Sequence, residues 1–174
     1  MTDYDDLVAL WGQDMIIHFP IDQLGDVVTC GPDPFPPDGA LPIEVPLLFT
    51  TALDGQVKLF SVLTIHAGDS ATRLVVIGGA PDDDDLLFCL DPATGAVGLL
   101  QFTEPALEHV NASLKHFVEF LYRISRFIGE GHRGAQRVSN AHHLRHDLTA
   151  LDPTAFTDTE SWWAIAFDHG LARP

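Results

Sequence analysis

The sequence predicts an α+β fold in which a meandering antiparallel sheet is flanked by α-helices. Residues 74–102 contain apolar, partly β-branched runs bounded by Gly, Pro and Asp, which is the pattern of β-strands. Within them, Asp91–Gly95 supplies a proline with a fixed φ and a glycine that tolerates a positive φ, so the flanking strands should pair antiparallel. An amphipathic helix begins near Asn111, which is expected to be its N-cap. The length suits one domain with a substantial core, and we expect residues 1–174 to form a single domain.

Short elements separated by a proline-rich connection are expected in the N-terminal segment. Residues 3–11 favour a helix with acidic side chains in its first turn, where the helix dipole stabilises them. Residues 15–19 favour an edge strand that ends at Pro20. Six prolines between residues 31 and 46 argue against a regular element there. We expect the apolar segment 41–49 to dock on the sheet.

Periodicity predicts a strand and a long helix in the middle of the chain. Residues 57–65 alternate as a strand does. The helix that begins near Asn111 has an apolar stripe with charged residues off it, so it should bury one face, and Gly129 ends it. One side of the strand carries Leu59, Ser61 and Leu63, and the other carries Lys58, Phe60 and Val62. The helix stripe comprises Leu114, Phe117, Val118, Leu121, Ile124 and Ile128; the residues off it are Lys115, Glu119, Arg123 and Arg126.

The C-terminal segment predicts a mobile connection followed by two helices. Residues 129–140 are polar and rich in glycine, which is typical of a mobile connection. A short helix should follow and end before Asp152. A last helix is expected to begin near Asp158 and to end at Gly170, which suits a C-terminal cap. The apolar residues of the short helix are Leu144, Leu148 and Leu151, and the buried residues of the last helix are expected to be Trp162 with Ile165 or Ala166.

The formal net charge of −16 is concentrated in residues 1–110, which hold 18 acidic and 2 basic side chains. Residues 111–174 hold 7 of each. A surface this negative repels nucleic acid and anionic lipid, and it attracts cationic partners over about one Debye length. We therefore expect no nucleic-acid binding by residues 1–110. Solubility alone also accounts for such a charge.

The short length of the apolar runs and the isolated positions of the cysteines favour a cytoplasmic protein. No apolar run has the length of a membrane span, and the N-terminal residues lack the basic flank of a signal peptide. Cys30 and Cys89 lie at unrelated positions and match neither a disulfide framework nor a metal motif. Cys89 lies in a predicted strand, where a small core residue is the simpler interpretation. We expect a cytoplasmic location without membrane association.

The motifs that could support catalysis are weak. His142 and His146 are four residues apart, so on a helix they share one face and could both ligate Zn²⁺. A third ligand would have to come from Asp147 or His132, and no glutamate follows the first histidine as in metalloproteases. Gly78-Gly79 is not followed by a helix, and no Gly-x-Ser-x-Gly motif is present. We favour a solvated helix that binds no metal or cofactor; a metal-dependent enzyme or a pH-sensitive segment is the alternative.

Six segments between residues 40 and 170 form an ordered set that is more specific than any one of them. They are Leu41-Pro42 with Phe49; Val76-Ile77-Gly78; Leu87 to Asp91 with Thr94-Gly95-Ala96-Val97; Val110-Asn111-Ala112-Ser113-Leu114 with Phe117; Leu151-Asp152-Pro153 with Ala155; and Glu160-Ser161-Trp162-Trp163. This set resembles the SUKH superfamily of bacterial immunity proteins, and most closely its fourth subgroup.

The resemblance implies an α+β fold with a meandering sheet flanked by helices. It also implies a non-enzymatic role, which is to bind and neutralise a toxin domain, often a nuclease or deaminase, of a polymorphic toxin system. The chain departs from the family pattern at Ala40, where glycine often precedes Leu-Pro, and in the long acidic insert Asp82–Asp85. Both departures bear on the partner and leave the fold prediction unchanged. An intracellular adaptor of the same fold, without a toxin partner, is the alternative function.

The candidate partner-binding residues are Asp82, Asp83, Asp84, Asp85, Glu44 and Trp163. The four aspartates are expected in a loop between two strands and lack the spacing of a calcium loop. Their carboxylates can imitate a phosphate backbone for a basic toxin cleft, although a solubilising cluster is the simpler interpretation. Trp162 and Trp163 lie about 100° apart on a helix, so only one can face the core fully. The exposed one would anchor an interface, and we assign that role to Trp163.

Overall fold

A computed structural model describes residues 1–67, 70–131 and 133–172 of the chain, and within them it contains nine strands and four α-helices. The strands are β1 (Ile16–His18), β2 (Ala40–Pro42), β3 (Glu44–Val45), β4 (Phe49–Thr50), β5 (Val62–Ala67), β6 (Ser70–Ala80), β7 (Asp83–Leu90), β8 (Val97–Gln101) and β9 (Ala106–Asn111). The helices are α1 (Tyr4–Trp11), α2 (Leu114–Gly129), α3 (Gly134–Leu151) and α4 (Trp162–Ala166). Short 3₁₀ turns cover Gln13–Met15, Pro37–Gly39 and Pro153–Phe156, and a π-helical turn covers Phe167–Leu171. The predicted α+β class is confirmed.

The main sheet is antiparallel, with strand order β3-β4-β6-β7-β8-β9 and with β5 also paired to β6. The meander β6–β7–β8 occupies the predicted segment, and the turn between β7 and β8 forms as expected. In that turn the Gly95 N–H donates to the Asp91 carbonyl over 2.8 Å, with Gly95 at a φ of +80°. Strand β9 was not predicted from the sequence. The predicted strand at 15–19 is β1, which pairs with β2 in a separate two-stranded sheet.

The main core lies between one face of the sheet and the helices. Phe49, Phe88 and Phe117 are fully buried there, with ring centroids between 5.0 and 5.7 Å apart. Gly78 permits this contact, because a Cβ at that position would lie 2.3 Å from the Phe49 ring. The opposite face of the sheet carries a smaller cluster of Leu74, Val76, Leu87, Cys89 and Leu100, partly covered by Leu53, Val57, Leu63 and Ile65. The segment 41–49, predicted to dock on the sheet, instead supplies β3 and the first residue of β4 to it.

The strand predicted at 57–65 is shorter than expected. Its pairing with β6 begins at Val62, because Phe60 has a φ of +60°, which interrupts an extended strand. The Phe60 ring packs on Phe19, with centroids 5.4 Å apart. Residues 57–59 therefore lie outside the strand, whereas the Phe60 N–H donates to the Val76 carbonyl over 2.8 Å and the Ser61 carbonyl accepts from the Val76 N–H over 3.0 Å.

Helix α2 has the predicted buried stripe but a wider buried face. Ser113 caps it by accepting a hydrogen bond from the His116 N–H, so the expectation that Asn111 is the cap is wrong. Glu119, predicted to lie off the stripe, is 4 % exposed and accepts hydrogen bonds from the Thr2 N–H at 2.7 Å and the Arg123 Nε–H at 2.8 Å. Because α1 packs beside α2, a second side of α2 is covered. Buried residues of α2 beyond the predicted stripe are Glu119, Phe120 and Phe127.

The C-terminal predictions need two corrections. The connection expected over 129–140 is short, because α3 begins at Gly134 and runs for 18 residues; His132 lies outside the described residues. The last helix turns the opposite face inward from the one predicted. It is α-helical only over Trp162–Ala166, where Trp163 and Ala164 are buried and Ile165 is 43 % exposed, and Phe167 is buried in the π-helical turn that follows. Among the described helices, none is long and apolar enough to cross a membrane.

Candidate functional site

The aspartate run lies at the hairpin between β6 and β7. Asp82 forms the turn with Pro81 and adopts a φ of +64°, a left-handed conformation that aspartate tolerates better than most residues. Asp83–Asp85 are the first three residues of β7, so the expectation of a loop is wrong for them. The hairpin is irregular, since Ala80 pairs with Asp83 whereas Gly79 pairs with Leu87. This irregularity gathers the acidic residues at one end of the sheet.

These aspartates line a groove of about 360 Å³, which we call the acidic groove. Apolar and glycine residues supply much of its lining, and the ionisable side chains that line it are all aspartates. The lining comprises Thr50, Ala52, Leu53, Asp54, Gly55, Gln56, Val57, Gly79, Ala80, Asp82, Asp83, Asp84, Asp85, Leu87, Phe102 and Thr103. Phe102 is 43 % exposed. The groove is therefore apolar with an acidic rim.

Hydrogen bonds order part of the acidic rim without neutralising it. Hydrogen bonds from Thr103 hold the pKa of the Asp85 carboxyl below its ordinary value. The Asp83 carboxylate accepts a hydrogen bond from the Asp85 N–H over 3.1 Å. None of the ion pairs formed within the described residues involves Asp54 or Asp82–Asp85. Within the part of the chain that the structure describes, the groove carboxylates thus have no cationic partner.

Glu44 lies beside the acidic groove. It is exposed on β3 and pairs with Thr50, which lines the groove and in turn pairs with Gly79. Two strand spacings separate the backbones of Glu44 and Gly79, or about 10 Å. The structure thus brings Glu44 and the aspartate run, 38 positions or more apart in the chain, to the same end of the sheet.

Trp163 is not part of this surface. It is 1 % exposed, and its Nε1–H donates a hydrogen bond to the Asn111 Oδ1 over 3.0 Å. The expectation that Trp163 is the exposed member of the tryptophan pair is wrong, because its ring packs against Phe117 and Phe120 on α2. Trp162 is the partly exposed one.

The last three segments of the resemblance meet in a buried network around Asp152, which we call the Asp152 network. Asp152 is 1 % exposed and its Oδ2 accepts hydrogen bonds from Asn111 Nδ2 and the Ala112 N–H, both at 2.9 Å. Its Oδ1 accepts from the Thr154 hydroxyl at 2.6 Å and the Thr154 N–H at 3.2 Å. Asn111 in turn receives the Trp163 Nε1–H. The network joins β9, the start of α2, the turn after α3, and α4.

Both carboxylate oxygens of Asp152 therefore accept hydrogen bonds. Burial alone would raise the pKa of Asp152, but hydrogen bonds from Thr154, Asn111 and Ala112, and the nearby His116, outweigh it and lower that pKa. His116 Nδ1 lies 3.7 Å from Asp152 Oδ2. Asn111, Asp152 and Trp163 are buried and hold β9, the turn after α3 and α4 together, so their role is structural.

The histidines of α3 do not form a metal centre with any described neighbour. His142, His146 and Asp147 are exposed on α3, and the described residues contain no group of three His, Cys, Asp or Glu side chains placed to hold a metal ion. Arg145, between them in sequence, pairs with Asp168 over 3.0 Å. The arrangement is that of a polar helix surface.

We expect His142→Ala and His146→Ala, singly or together, to change the free energy of unfolding by about 0.5 kcal/mol or less, because exposed side chains away from special features contribute little. Urea denaturation at neutral pH, with and without added Zn²⁺, measures this. Zinc-dependent stabilisation of the parent protein that the double substitution abolishes would contradict the prediction.

Several groove residues were not anticipated from the sequence. Leu53, Asp54 and Val57 come from an irregular segment, and Phe102 and Thr103 from the turn after β8. No local motif marks these positions, because the groove forms only when three separate segments meet. A second exposed apolar feature was also missed: Leu47, 80 % exposed at a φ of +69°, beside a groove of about 400 Å³ that Ile165 also lines.

The family model of the SUKH-4 immunity proteins matches the chain over residues 32–169. The matched range includes the meander, the acidic groove and the Asp152 network. No curated protein and no solved structure matches the chain.

Proposed function

We propose that this chain, which belongs to the SUKH-4 immunity protein family, binds and neutralises a cognate toxin domain without catalysing a reaction. The family match is the observation that carries the proposal. The absence of a triad of metal-ligating side chains among the described residues is compatible with a binding role. In this proposal the protein acts in the cytoplasm, and its partner is a nuclease- or deaminase-like domain of a polymorphic toxin system.

The acidic groove is the proposed partner-binding surface, with Asp82–Asp85 on its rim and Glu44 beside it. Uncompensated carboxylates attract a basic cleft and can occupy the positions of nucleic-acid phosphates in it. Nuclease and deaminase clefts bind such phosphates, so their charge complements this rim. The excess of acidic residues in residues 1–110 also attracts a cationic partner at long range.

We expect a neighbouring gene to encode the cognate toxin domain, and co-expression of that domain with this chain tests the proposed function. We expect the two proteins to co-purify as a complex of defined stoichiometry, and the toxin's activity on its own substrate to fall in proportion to added chain. A toxin domain that remains fully active with a molar excess of the chain would contradict the proposal. An unrelated cationic protein of similar size is the control for non-specific charge attraction.

Replacing Asp82–Asp85 by Asn is expected to slow association with the toxin and to flatten its dependence on salt, while dissociation changes less. The reason is that long-range attraction acts on encounter and is screened by ions. Asn has nearly the same size as Asp and can still accept the hydrogen bonds of the hairpin, so the fold should survive. Stopped-flow kinetics across a salt series measure both rates.

A matched control removes the same number of charges elsewhere. Asp14, Asp22, Asp26 and Asp33 are exposed and lie outside the acidic groove. Their joint replacement by Asn should slow association less than the groove variant does. Equal slowing by both variants would mean that overall charge, and not the groove, guides the partner, and unchanged rates in the groove variant would exclude an electrostatic role for it.

A further inference from the structure

The acidic groove combines two properties that a merely solubilising cluster does not need. Leu53, Val57 and Leu87 line it with apolar surface, and Phe102 presents 43 % of its surface to solvent. The carboxylates of Asp54 and Asp82–Asp85 line the same groove. A volume of about 360 Å³ lies at the lower end of the range for small-ligand pockets. The space therefore suits one long side chain better than a helix or a folded surface.

We propose that the groove seats an arginine side chain of the partner protein, with its aliphatic stem on the apolar lining and its guanidinium among the carboxylates. The inference rests on the proposed function and names the chemistry that this site recognises. Charge complementarity identifies the occupant as cationic, because the ionisable residues that line the groove are all aspartates. A second copy of this chain, with its own net charge of −16, is disfavoured by repulsion.

The apolar lining distinguishes a long cationic side chain from a simple ion. Lysine and arginine lay their methylene stems along apolar surface while the charged head reaches polar groups. Leu53 covers Gly79 closely, since a Cβ on Gly79 would lie 3.0 Å from Leu53 Cδ2. The glycine thus lets the 53–57 segment approach the sheet and form one wall. A small inorganic cation would gain nothing from these apolar contacts.

Phe102 favours arginine over lysine. A planar guanidinium stacks on an aromatic ring and can donate two parallel hydrogen bonds to one carboxylate, whereas an ammonium cannot do both. The Phe102 ring and the aspartates line the same groove, and Thr103 beside Phe102 donates its N–H to Asp85 over 2.5 Å. This hydrogen bond ties the turn that carries Phe102 to the acidic hairpin, so ring and carboxylates are held together.

The test compares hexa-arginine with hexa-lysine, two peptides of equal formal charge, as ligands of the full chain at about 150 mM salt. We expect hexa-arginine to bind about two- to fivefold more tightly, the factor given by one exposed cation–π contact. Nuclear magnetic resonance titration should place the largest shifts at Leu53, Val57, Phe102 and Thr103. Equal affinities, or shifts spread over other acidic residues instead, would overturn the proposal.

Variants of Phe102 separate the contribution of the aromatic ring to peptide binding from the contribution of the carboxylates. Phe102→Leu keeps an apolar side chain and should abolish the preference for arginine, whereas Phe102→Tyr keeps the ring and should retain it. Leu47→Ala, which changes an exposed apolar residue outside the groove, is the matched control and should have no effect. A preference that persists in Phe102→Leu would overturn the assignment.

The outcomes also separate this inference from the proposed function. Neutralisation of the toxin combined with equal binding of both peptides would contradict the arginine site alone. A preference for arginine at the groove, in a chain that neutralises no toxin, would support the site and contradict the proposed function.

Discussion

Phe117→Ala is expected to lower the free energy of unfolding by about 3–5 kcal/mol. Phe117 is fully buried at the centre of the main core, where its ring lies 5.0 Å from that of Phe88, 5.5 Å from Phe49 and 6.1 Å from Trp163, centroid to centroid. Truncation removes the transfer free energy of the ring and leaves a cavity between rigid aromatic neighbours, which cannot collapse to fill it. Urea denaturation followed by tryptophan fluorescence measures the loss.

The same chemical change at a solvent-exposed site is the control. Phe102→Ala removes a ring that is 43 % exposed, so its cost should be about 1 kcal/mol. If the two substitutions cost the same, Phe117 would not be the centre of the core. The loss expected for Phe117→Ala approaches the whole stability of many domains. Measurement at low temperature, or with the partner bound, keeps this variant folded.

Asp152→Ala is expected to cost about 3–5 kcal/mol, the range for breaking a buried charged network by removing one member. The change leaves Asn111 Nδ2 and the N–H groups of Ala112 and Thr154 without their acceptor. The buried Asn111 donor loses the hydration it had in the unfolded chain and gains nothing in return, whereas water can reach the exposed residues Ala112 and Thr154. Asp152→Asn keeps the size and one acceptor oxygen, so it should cost less. Equal stability of Asp152→Ala and the parent protein would contradict the role of the network.

Acid should weaken the same network. The pKa of Asp152 is lowered in the folded protein, so folding is favoured by its ionised form. That stabilisation is complete above the unfolded value of about 3.9 and is lost as pH falls through the lower folded pKa. Glu119, whose pKa is lowered by hydrogen bonds from Thr2 and Arg123 that outweigh its burial, contributes with the same sign.

The free energy of unfolding should therefore fall as pH decreases below about 4, and it should fall less steeply in Asp152→Asn. Urea denaturation at several pH values between about 2.5 and 7 measures both slopes. If the free energy of unfolding fell with the same slope at acid pH in the parent protein and in Asp152→Asn, Asp152 would bind protons equally in the folded and unfolded states.

Periodic and turn signals carried most of the fold prediction. The apolar runs of the meander β6–β8, the turn at Asp91–Gly95 and the apolar stripe of α2 reflect local rules, and the structure follows them. The predictions failed where tertiary contacts determine which residue caps a helix and which side chains are buried. Asn111 has the chemistry of a helix cap, yet it is drawn into the core by Asp152 and Trp163. Glu119 is charged, yet α1 and the N-terminal backbone cover it.

The candidate site was only partly predictable for a related reason. A run of four aspartates is visible in any sequence, and its position at a hairpin follows from the flanking strands. The apolar lining is not visible, because Val57 and Phe102 are 45 positions apart and meet only through the sheet register. Trp163 was wrongly predicted to be the exposed tryptophan. Which of two adjacent tryptophans is buried depends on the side of the helix that faces α2, and the sequence does not show that side.

The Asp152 network and the acidic groove share no residue, and this separation has an evolutionary and practical consequence. The network fastens the helices to the sheet, whereas the groove is formed by a hairpin tip, an irregular segment and a turn. Substitutions at the hairpin tip can therefore alter recognition while the scaffold persists. Randomising residues 82–85 and 102 in a display library should yield folded binders with new targets, in the way that antibody loops are varied on a constant framework.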